Sequence, residues 1–497
     1  SLAEHGYEFV KPDGAFYMFL KSPEIDAQIE WLKSNGVDLL EIRGIDGTPV
    51  AQITPEKARE VKAKLDCAGI SISAVGSPAG KIGINDDFFG EFEKRYGYSA
   101  RAILPEIYYN LNGRTVWKVK HDVVDLANAL FIERFAKPIN DWCKAHGIIF
   151  TGHVLHEDAL ACQTVPNGSL MRFYEHMGYP GIDILTGGNR CYWAAKQLES
   201  STRQIGQTWR LSELYGCSGW QFDFKGHKNS GDWQALYGIN LRCPHLSWYT
   251  MEGESKRDYP ASILHQATYY HDYNAVETYF ARFGYIMRQG KELCDVMVVN
   301  PIETMWSQIH IGWAQWLNAT ETKLQGMEEN YRRLFASLLR YQIDFDLGDE
   351  EMMERLAKVG KDEKGPYFKI GKSTYRTVIV SDSETLRSNT YRLLKKFRKL
   401  GGKLIFAGKV PEYIDAEPTK LVKELARNSV KVPIDGGRLA GAVHRNVGFD
   451  TSVTGKDGNT ARQALLQARY DKRSGNVYIA VLNSHNDVGS PELTLEE

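Results

Sequence analysis

Short apolar runs rich in β-branched residues alternate with longer amphipathic stretches from residue 37 onward. This alternation is typical of parallel βα units, because two parallel neighbouring strands need a crossover helix between them. It predicts an α/β fold, and we place a (β/α)8 TIM-like barrel at residues 26–290. Strands of this barrel are expected at residues 38–42, 70–75, 148–153, 182–185, 209–213 and 239–248.

Helix signals lie between these runs. Thr54 and Pro55 form a good helix start, an N-cap residue followed by proline in the first turn. The longest helical stretch, 122–146, ends at Gly147, immediately before an expected strand. A second helical stretch, 261–287, ends at Gly290, which we take as the end of the barrel.

The alternation of strands and helices restarts after Gly290 and predicts a smaller doubly wound α/β domain at residues 291–428. From about residue 430 the pattern changes to short alternating strands, which predicts a partial, truncated β-sandwich at residues 429–497. Residues 1–25 form an N-terminal segment of unclear role.

The composition excludes several classes of partner. Lys plus Arg number 61 and Asp plus Glu number 62, so no charge surplus favours nucleic acid or an anionic membrane. No apolar run approaches the roughly 20 residues that span a bilayer. The seven cysteines form no CxxC pair, and no GxGxxG or Walker pattern is present, so neither a cysteine zinc site nor a nucleotide cofactor is expected.

Two further expectations follow from these absences. Without a nucleotide, the doubly wound domain is left with an architectural role or an oligomer contact. Residues 1–19 lack the basic and apolar regions of a signal peptide, so the chain as given is expected to be soluble. The compartment stays open: cytoplasmic as given, periplasmic or secreted if the N-terminus is incomplete.

Aromatic residues are abundant, with 11 Trp and 26 Tyr, and many cluster near glycines and acidic residues between positions 192 and 285. A carbohydrate site needs this mixture, because pyranose C–H faces pack on aromatic rings while the hydroxyls bind carboxylates and amides. Ordinary core packing explains any single aromatic residue equally well.

Three parts of the chain resemble different families. Residues 5–23 resemble the closing domain of pyridoxal-phosphate aminotransferases, and residues 36–87 resemble the opening units of xylose-isomerase-like sugar isomerases and epimerases. Residues 88 to about 420 resemble multidomain glycoside hydrolases related to α-L-rhamnosidases. The last match includes Thr151-Gly152-His153-Val154-Leu155-His156-Glu157-Asp158, Pro180-Gly181-Ile182-Asp183-Ile184-Leu185, Leu211-Ser212-Glu213-Leu214-Tyr215-Gly216, Gly231-Asp232-Trp233-Gln234 and Cys243-Pro244-His245-Leu246-Ser247-Trp248-Tyr249.

The third resemblance implies a barrel, then a flavodoxin-like domain, then β-sandwiches. It also implies a glycosidase of polysaccharide degradation, with α-L-rhamnosides as the first substrates to consider. Such an enzyme needs two carboxyl groups flanking the scissile bond and requires no cofactor.

Acidic residues at the C-terminal ends of barrel strands are the candidates for these carboxyl groups. Glu213 is the expected base or nucleophile, with a structural salt bridge as the alternative. Glu157 is the expected acid, because neighbouring carboxylates raise a pKa, although it could equally cap the following helix. Glu252 is the alternative second carboxylate, or else part of a loop ion-pair cluster.

The substrate-binding candidates are polar or aromatic residues near the same strand ends. His245 and His153 would hydrogen-bond sugar hydroxyls, although His245 could also be a satisfied core histidine. Asp183 lies between two isoleucines, so its carboxylate either lines the mouth of the barrel or is paired with a partner inside the protein. Trp248 would stack on a sugar ring in a subsite that includes Tyr249, and Trp220, in the loop after residue 219, would close over the substrate.

Two other functions remain open. His153, Glu157 and Asp183 could hold zinc or manganese, which is the chemistry of a metal-dependent sugar isomerase or epimerase. The chain could also be a non-catalytic carbohydrate-binding protein that keeps aromatic subsites but misplaces the acids.

Overall fold

The computed structural model of the protein describes residues 8–9, 20–21, 25–34, 39–42, 44–46, 48–49, 53–75, 88–187, 189–246, 252–253, 263, 267–315, 318–444 and 451–484. The chain forms two compact units. The first comprises residues 1–87, 133–151 and 248–258, and the second comprises residues 88–132, 152–247 and 259–497.

The first unit contains two parallel strands, each preceded by a helix. Its main elements are helix Ile25–Ser34, strand Leu39–Ile42, helix Pro55–Ala68 and strand Ser71–Val75. Its core includes Ile25, Leu32, Val61, Leu65 and Ile70. It also contains the short antiparallel pairs Glu8–Phe9 with Leu20–Lys21 and Gly44–Ile45 with Thr48–Pro49, and helix Lys137–Ala145.

The predicted start of the second of these helices is confirmed. Thr54 Oγ1 accepts a hydrogen bond from Lys57 N at 3.3 Å, which satisfies one of the free amide groups of the first turn. The helix ends at Gly69, whose φ of 71° is the left-handed conformation that glycine adopts without strain.

The second unit contains a four-stranded sheet in which neighbours in the chain are neighbours in space. We call it the barrel sheet; its strands are Thr151–His153, Tyr179–Asp183, Leu211–Leu214 and Leu241–Pro244. The ladders that join the last three strands are parallel. Sequential parallel order with helical crossovers is the arrangement that the sequence predicts for a barrel.

The helices of this unit are Phe88–Tyr96, Leu104–Tyr108, Lys118–Phe131, Leu160–Thr164, Leu170–Tyr174, Tyr192–Ile205, Phe224–Leu236, Asn274–Met287, Ile302–Trp306, Thr322–Leu339, Glu350–Leu356, Ser388–Lys399, Leu421–Arg427 and Gly436–His444. Helix Tyr192–Ile205 is almost wholly buried, because it contacts both the barrel sheet and strand Asp346–Gly348. No helix among the described residues has the length and apolar character needed to cross a membrane.

A five-stranded parallel sheet follows the barrel strands in the chain. In chain order its strands are Val296–Val299, Asp346–Gly348, Thr377–Val380, Lys403–Ala407 and Val430–Val432. The second strand lies outside the first, and the others follow on the opposite side, so the spatial order is 2-1-3-4-5. This is the flavodoxin-like order. Because Val430–Val432 pairs with Lys403–Ala407, the sheet continues past the predicted boundary at residue 428.

Antiparallel pieces complete the second unit. Strands Ala357–Asp362, Gly365–Ile370 and Ser373–Tyr375 form a meander beside the flavodoxin-like sheet. Near the C-terminus, Ala464–Tyr470 and Val477–Asn483 form a hairpin that also pairs with Lys291–Glu292. Shorter antiparallel pairs are Ala314–Gln315 with Asn318–Ala319 and Tyr413–Ile414 with Glu417–Pro418, and Thr385–Leu386 pairs in parallel with Tyr413–Ile414.

Gly181 lies in the middle of the barrel sheet and allows two strands to approach each other closely. A Cβ there would lie 2.6 Å from the backbone oxygen of Gly152 and 2.7 Å from Leu211 Cδ2. We expect Gly181→Ala to lower the unfolding free energy by about 1–3 kcal/mol, the usual cost of overpacking. Denaturant titration measures this. Gly284→Ala is the control, because a Cβ at this helical position meets no atom within 4 Å; equal stability of the two variants would contradict the prediction.

Candidate active site

Polar side chains lie at the C-terminal ends of all four strands of the barrel sheet. Asp183 is the last residue of its strand and lies directly opposite Glu213 in the parallel ladder. His153 ends the first strand, and His245 comes directly after the fourth. Because these strands are consecutive, the four side chains meet at one edge of the sheet, which is where active sites of barrel enzymes lie.

We call His153, Asp183, Glu213 and His245 the His–carboxylate cluster. His153 Nε2 lies 2.6 Å from Glu213 Oε2, and His245 Nε2 lies 3.8 Å from Glu213 Oε1. His153 Nδ1 lies 4.0 Å from Asp183 Oδ2. About a fifth to a quarter of each side chain is exposed, with 19% for His245 and 26% for His153 as the extremes. The predicted residues His153, Asp183, Glu213 and His245 are therefore brought together.

His153 is held as an imidazolium. Its Nδ1–H donates to the carbonyl of Val154 at 2.7 Å, and its Nε2–H donates to the Glu213 carboxylate, so both ring nitrogens carry a proton. Burial opposes this charge, but the hydrogen bond with Glu213 and the nearby Asp183 outweigh it and raise the pKa of His153 to about 9.

The two carboxyl groups of the cluster have opposite pKa shifts. Burial raises the pKa of Asp183, and the charge of His153 offsets this only in part. Burial also acts on Glu213, but the hydrogen bond from His153 outweighs it and lowers the pKa of Glu213. The buried Asp183 Oδ1 has no hydrogen-bond partner among the described residues, whereas the side chain as a whole is 23% exposed. Adjacent carboxyl groups with pKa values shifted apart suit an acid and a base or nucleophile.

Glu157 lies beneath the cluster rather than within it. It is 1% exposed, and its Oε1 accepts a hydrogen bond from the backbone N–H of Asp183 at 3.2 Å. Burial raises the pKa of Glu157 to about 8, so the expected high pKa is present. However, a general acid must reach the leaving oxygen, and this side chain is sealed from solvent by packing that the local sequence does not reveal.

Two of the other predicted site residues, Trp220 and Glu252, lie in loops. Trp220 lies in the loop after strand Leu211–Leu214 and is 46% exposed. Glu252 is exposed and belongs to the first unit, whereas the cluster belongs to the second. Trp248 and Tyr249 lie outside the described residues.

The sequence did not single out Tyr215 and Gly216, which shape the turn after Glu213. Tyr215 has a φ of 77°, and its hydroxyl accepts a hydrogen bond from Arg242 at 2.8 Å. A left-handed tyrosine is a strained conformation that the surrounding structure must hold in place. A Cβ on Gly216 would lie 3.0 Å from Cγ of His245, so glycine lets that ring approach. In the sequence, the run Glu213-Leu214-Tyr215-Gly216 is the feature from which this turn could have been predicted.

Two groups of side chains have the spacing of metal ligands. In the first, one ligand atom each of His153, Asp183 and Glu213 lies within 4.8 Å of the others. These are ligands that zinc or manganese accepts, although His153 would first have to lose the proton it shares with Glu213. The second group is His156, Asp158 and Cys162. It fits a metal poorly, because burial raises the pKa of the Cys162 thiol to about 11 and only the thiolate is a good ligand.

No protein-family model and no curated protein matches this chain. Among solved structures, a GH42 exo-carrageenase from Bacteroides ovatus superimposes with a TM-score of 0.53 at 11% identity, covering 86% of this chain and 63% of that one. This chain shares the fold of that exo-carrageenase. The prediction of an α/β fold with a TIM-like barrel is thereby confirmed.

Other similar structures are also glycosidases. A β-galactosidase from Rahnella sp. R3 gives a TM-score of 0.46 at 11% identity, covering 79% of this chain and 69% of that one. A GH42 β-galactosidase named Gan42B gives 0.43 at 13% identity, covering 78% of this chain and 61% of that one. The chain thus spans between three fifths and two thirds of the length of Gan42B and of the exo-carrageenase.

Proposed function

We propose that this chain is a glycoside hydrolase whose carboxyl pair is Glu213 and Asp183. The observation that carries the proposal is the His–carboxylate cluster at the C-terminal edge of the barrel sheet, with its two carboxyl groups shifted to opposite pKa values. The shared fold with the exo-carrageenase supports it. Glycosidic bond cleavage requires one protonated and one ionised carboxyl group.

The spacing of the pair favours a retaining mechanism. A ligand oxygen of Asp183 lies within 4.8 Å of one of Glu213, which is below the roughly 6.5–9.5 Å of inverting enzymes and compatible with the shorter separation of roughly 5 Å in retaining ones. The Glu213 carboxylate attacks the anomeric carbon while the glycosidic C–O bond breaks, and Asp183 gives its proton to the leaving oxygen. Water then displaces Glu213 and returns a proton to Asp183. We expect the first product detected by NMR to keep the substrate's anomeric configuration; an inverted product would contradict this pairing.

Glu157 acts through Asp183 in this scheme. Its Oε1 accepts the Asp183 backbone N–H, so it fixes the end of the strand that presents the acid. Glu157 is thus a positioning residue, and the acid role predicted for it from sequence passes to Asp183. His245, 3.8 Å from Glu213 Oε1, is placed to donate a hydrogen bond to a sugar hydroxyl.

The proposal also names a class of substrate. The resemblance of residues 88–420 to α-L-rhamnosidase relatives makes α-L-rhamnosides the first class to test. A panel of aryl α-L-rhamnosides, β-galactosides and α-L-fucosides measures release of the aryl alcohol. We expect the chain to hydrolyse at least one of these glycosides and the Glu213→Gln variant to lose that activity. If the chain hydrolyses none of them faster than the variant does, the proposal is overturned.

A metal-dependent sugar isomerase is the second candidate, favoured by the close approach of His153, Asp183 and Glu213. A chelator separates the two functions. The hydrolase keeps its turnover after chelation, whereas an isomerase loses turnover while retaining its fold, and added manganese or zinc restores it.

We expect His153→Gln to move the acidic limb of the pH–rate profile. The imidazolium of His153 lowers the pKa of Glu213, so its loss raises that pKa, and the rate begins to fall at a higher pH as acid is added. The measurement is kcat/KM between pH 3 and 8. His146→Gln is the control, because this exposed histidine hydrogen-bonds the carbonyl of Trp142 in the helix that it follows. An unchanged acidic limb in His153→Gln would show that this hydrogen bond does not tune Glu213.

A further inference from the structure

A cavity of about 670 Å³ lies at the opposite end of the barrel strands from the His–carboxylate cluster. Thr208 and Arg210, directly before strand Leu211–Leu214, line it, as do Ile239 and Asn240, directly before strand Leu241–Pro244. The end of helix Tyr192–Ile205, residues between 287 and 295, Asp346, the antiparallel meander and the C-terminal hairpin also line it. Its volume is within the range of small-molecule sites.

The lining of this cavity is rich in positive charge. Three carboxylates, Glu292, Asp295 and Asp346, line it. Twice as many cationic side chains do so: Arg203, Arg210, Arg288, Lys291, Lys372 and Arg469.

Three buried arginines form the floor. Arg203 Nε, Arg210 Nη1 and Arg469 Nη1 lie 3.8, 3.3 and 2.8 Å from the same oxygen, Glu292 Oε1. Burial works against ionisation of Glu292, but the three guanidinium groups outweigh it and hold its pKa far below its usual range. Arg203 Nε is sealed and has no hydrogen-bond acceptor among the described residues. The other guanidinium nitrogens of Arg203 are paired with Glu199, Asp344 and Asp346, so the floor is a fixed ionic network, and the positive charge left open to a ligand is that of the rim.

Three exposed cations form the rim: Arg288, Lys291 and Lys372. Within the described ranges, no carboxylate lies within 4.0 Å of any of them. Arg288 instead stacks over the Trp209 ring at 4.5 Å. Gly206, with a φ of 89°, lets Lys372 come close, since a Cβ there would lie 2.3 Å from Lys372 Nζ. The rim thus adds positive charge that the protein itself does not neutralise.

We propose that this cavity binds a sugar-sized organic anion, a monosaccharide bearing a phosphate or sulfate ester, independently of the reaction at the His–carboxylate cluster. Guanidinium groups match the oxygens of such esters with paired hydrogen bonds. The apolar side chains of Ile239, Met287 and Leu293 also line the cavity and offer surface to the carbon face of a sugar ring. An inorganic anion alone would leave that surface and most of the volume unused.

Isothermal titration calorimetry of the full chain tests this proposal with five probes: glucose 6-phosphate, glucose 6-sulfate, inorganic phosphate, inorganic sulfate and glucose. At least one ester is expected to bind about tenfold or more tightly than its inorganic anion and than glucose. Its affinity should fall as NaCl is raised. Preference for one ester distinguishes phosphate from sulfate. Equal affinity for an ester and its inorganic anion, or no binding of either ester, would overturn the proposal.

Variants at the rim locate the binding. Lys372→Ala and Arg288→Ala are each expected to weaken ester binding about tenfold, the effect of losing one charge-assisted hydrogen bond. Lys361→Ala and Arg282→Ala are matched controls, because both residues are exposed and neither lines the cavity. All four side chains are exposed to solvent, so we expect each variant to keep its fold. Equal losses in rim and control variants would place the anion elsewhere and overturn the assignment.

Discussion

Replacing Glu213 by glutamine is expected to lower kcat by at least a hundredfold and up to about ten thousandfold on any glycoside that the chain cleaves. The amide keeps the size of the side chain but cannot attack the anomeric carbon. It also loses the charge that pairs with the His153 imidazolium at 2.6 Å. Because Glu213 is 24% exposed, the substitution leaves no sealed charge behind, and the unfolding midpoint should stay close to that of the parent.

Glu252→Gln is the matched comparison. Sequence reasoning offered Glu252 as the second carboxylate, and the structure places it exposed in the first unit. We expect this variant to keep the parent rate within about threefold, the ordinary effect of an exposed substitution. Steady-state kinetics on the same substrate decides between the two. A normal rate in Glu213→Gln, or an equal loss in Glu252→Gln, would remove Glu213 from its proposed position as nucleophile.

The cluster was largely accessible from sequence. Asp183, Glu213 and His153 each end a short apolar run, and parallel strands that are consecutive in the chain bring their C-terminal ends together. Local pattern therefore indicated the strand ends at which polar residues lie, but the carboxyl pair expected from sequence was Glu157 with Glu213 or Glu252, not Asp183 with Glu213. It could not predict the role of Glu157, because whether a side chain just beyond a strand end faces solvent depends on the helices packed above it.

The flavodoxin-like domain was predicted in outline for a similar reason. The apolar residues of Thr377–Val380 and Lys403–Ala407 indicate directly that these segments are buried strands. Strand Asp346–Gly348 was missed, because three residues with an aspartate and a glycine carry no strand pattern, although all three are buried. Val430–Val432 was assigned to the following region, since only its pairing with Lys403–Ala407 shows which sheet it belongs to.

Buried charges were not accessible from sequence at all. Glu303 is 1% exposed and accepts hydrogen bonds from Arg172 and from Arg387, which contacts both its oxygens at 2.7 and 2.8 Å. The partners are 131 and 84 residues away in the chain. Arg172 also binds Asp349 at 2.9 Å, at the N-cap of helix Glu350–Leu356. These contacts tie helix Leu170–Tyr174 to the flavodoxin-like domain.

His121 makes this buried network sensitive to pH. Burial disfavours its charge, but hydrogen bonds with Asp122 and with Glu303 at 2.7 Å outweigh burial and raise the pKa of His121 to about 9. A pKa above the unfolded value of about 6.5 means that the stabilisation is complete below that pH and is lost as pH rises through about 9. The charged form is therefore the one that the network holds at neutral pH.

Removing Glu303 is accordingly expected to be among the most destabilising single substitutions in the chain. Glu303→Ala leaves Arg172, Arg387 and His121 buried without their shared carboxylate, and we expect the unfolding free energy at pH 7 to fall by about 3–5 kcal/mol. Glu354→Ala is the matched control, because this 50% exposed carboxylate approaches the same Arg387 at 3.7 Å from the surface, where an ion pair contributes about 0–1 kcal/mol.

Denaturant unfolding of both variants at pH 7 and pH 9.5 checks the prediction. The difference between Glu303→Ala and the parent should shrink at the higher pH, where His121 has lost its proton. Equal stability of the two variants, or a difference that grows with pH, would show that the network does not hold the two domains together through Glu303.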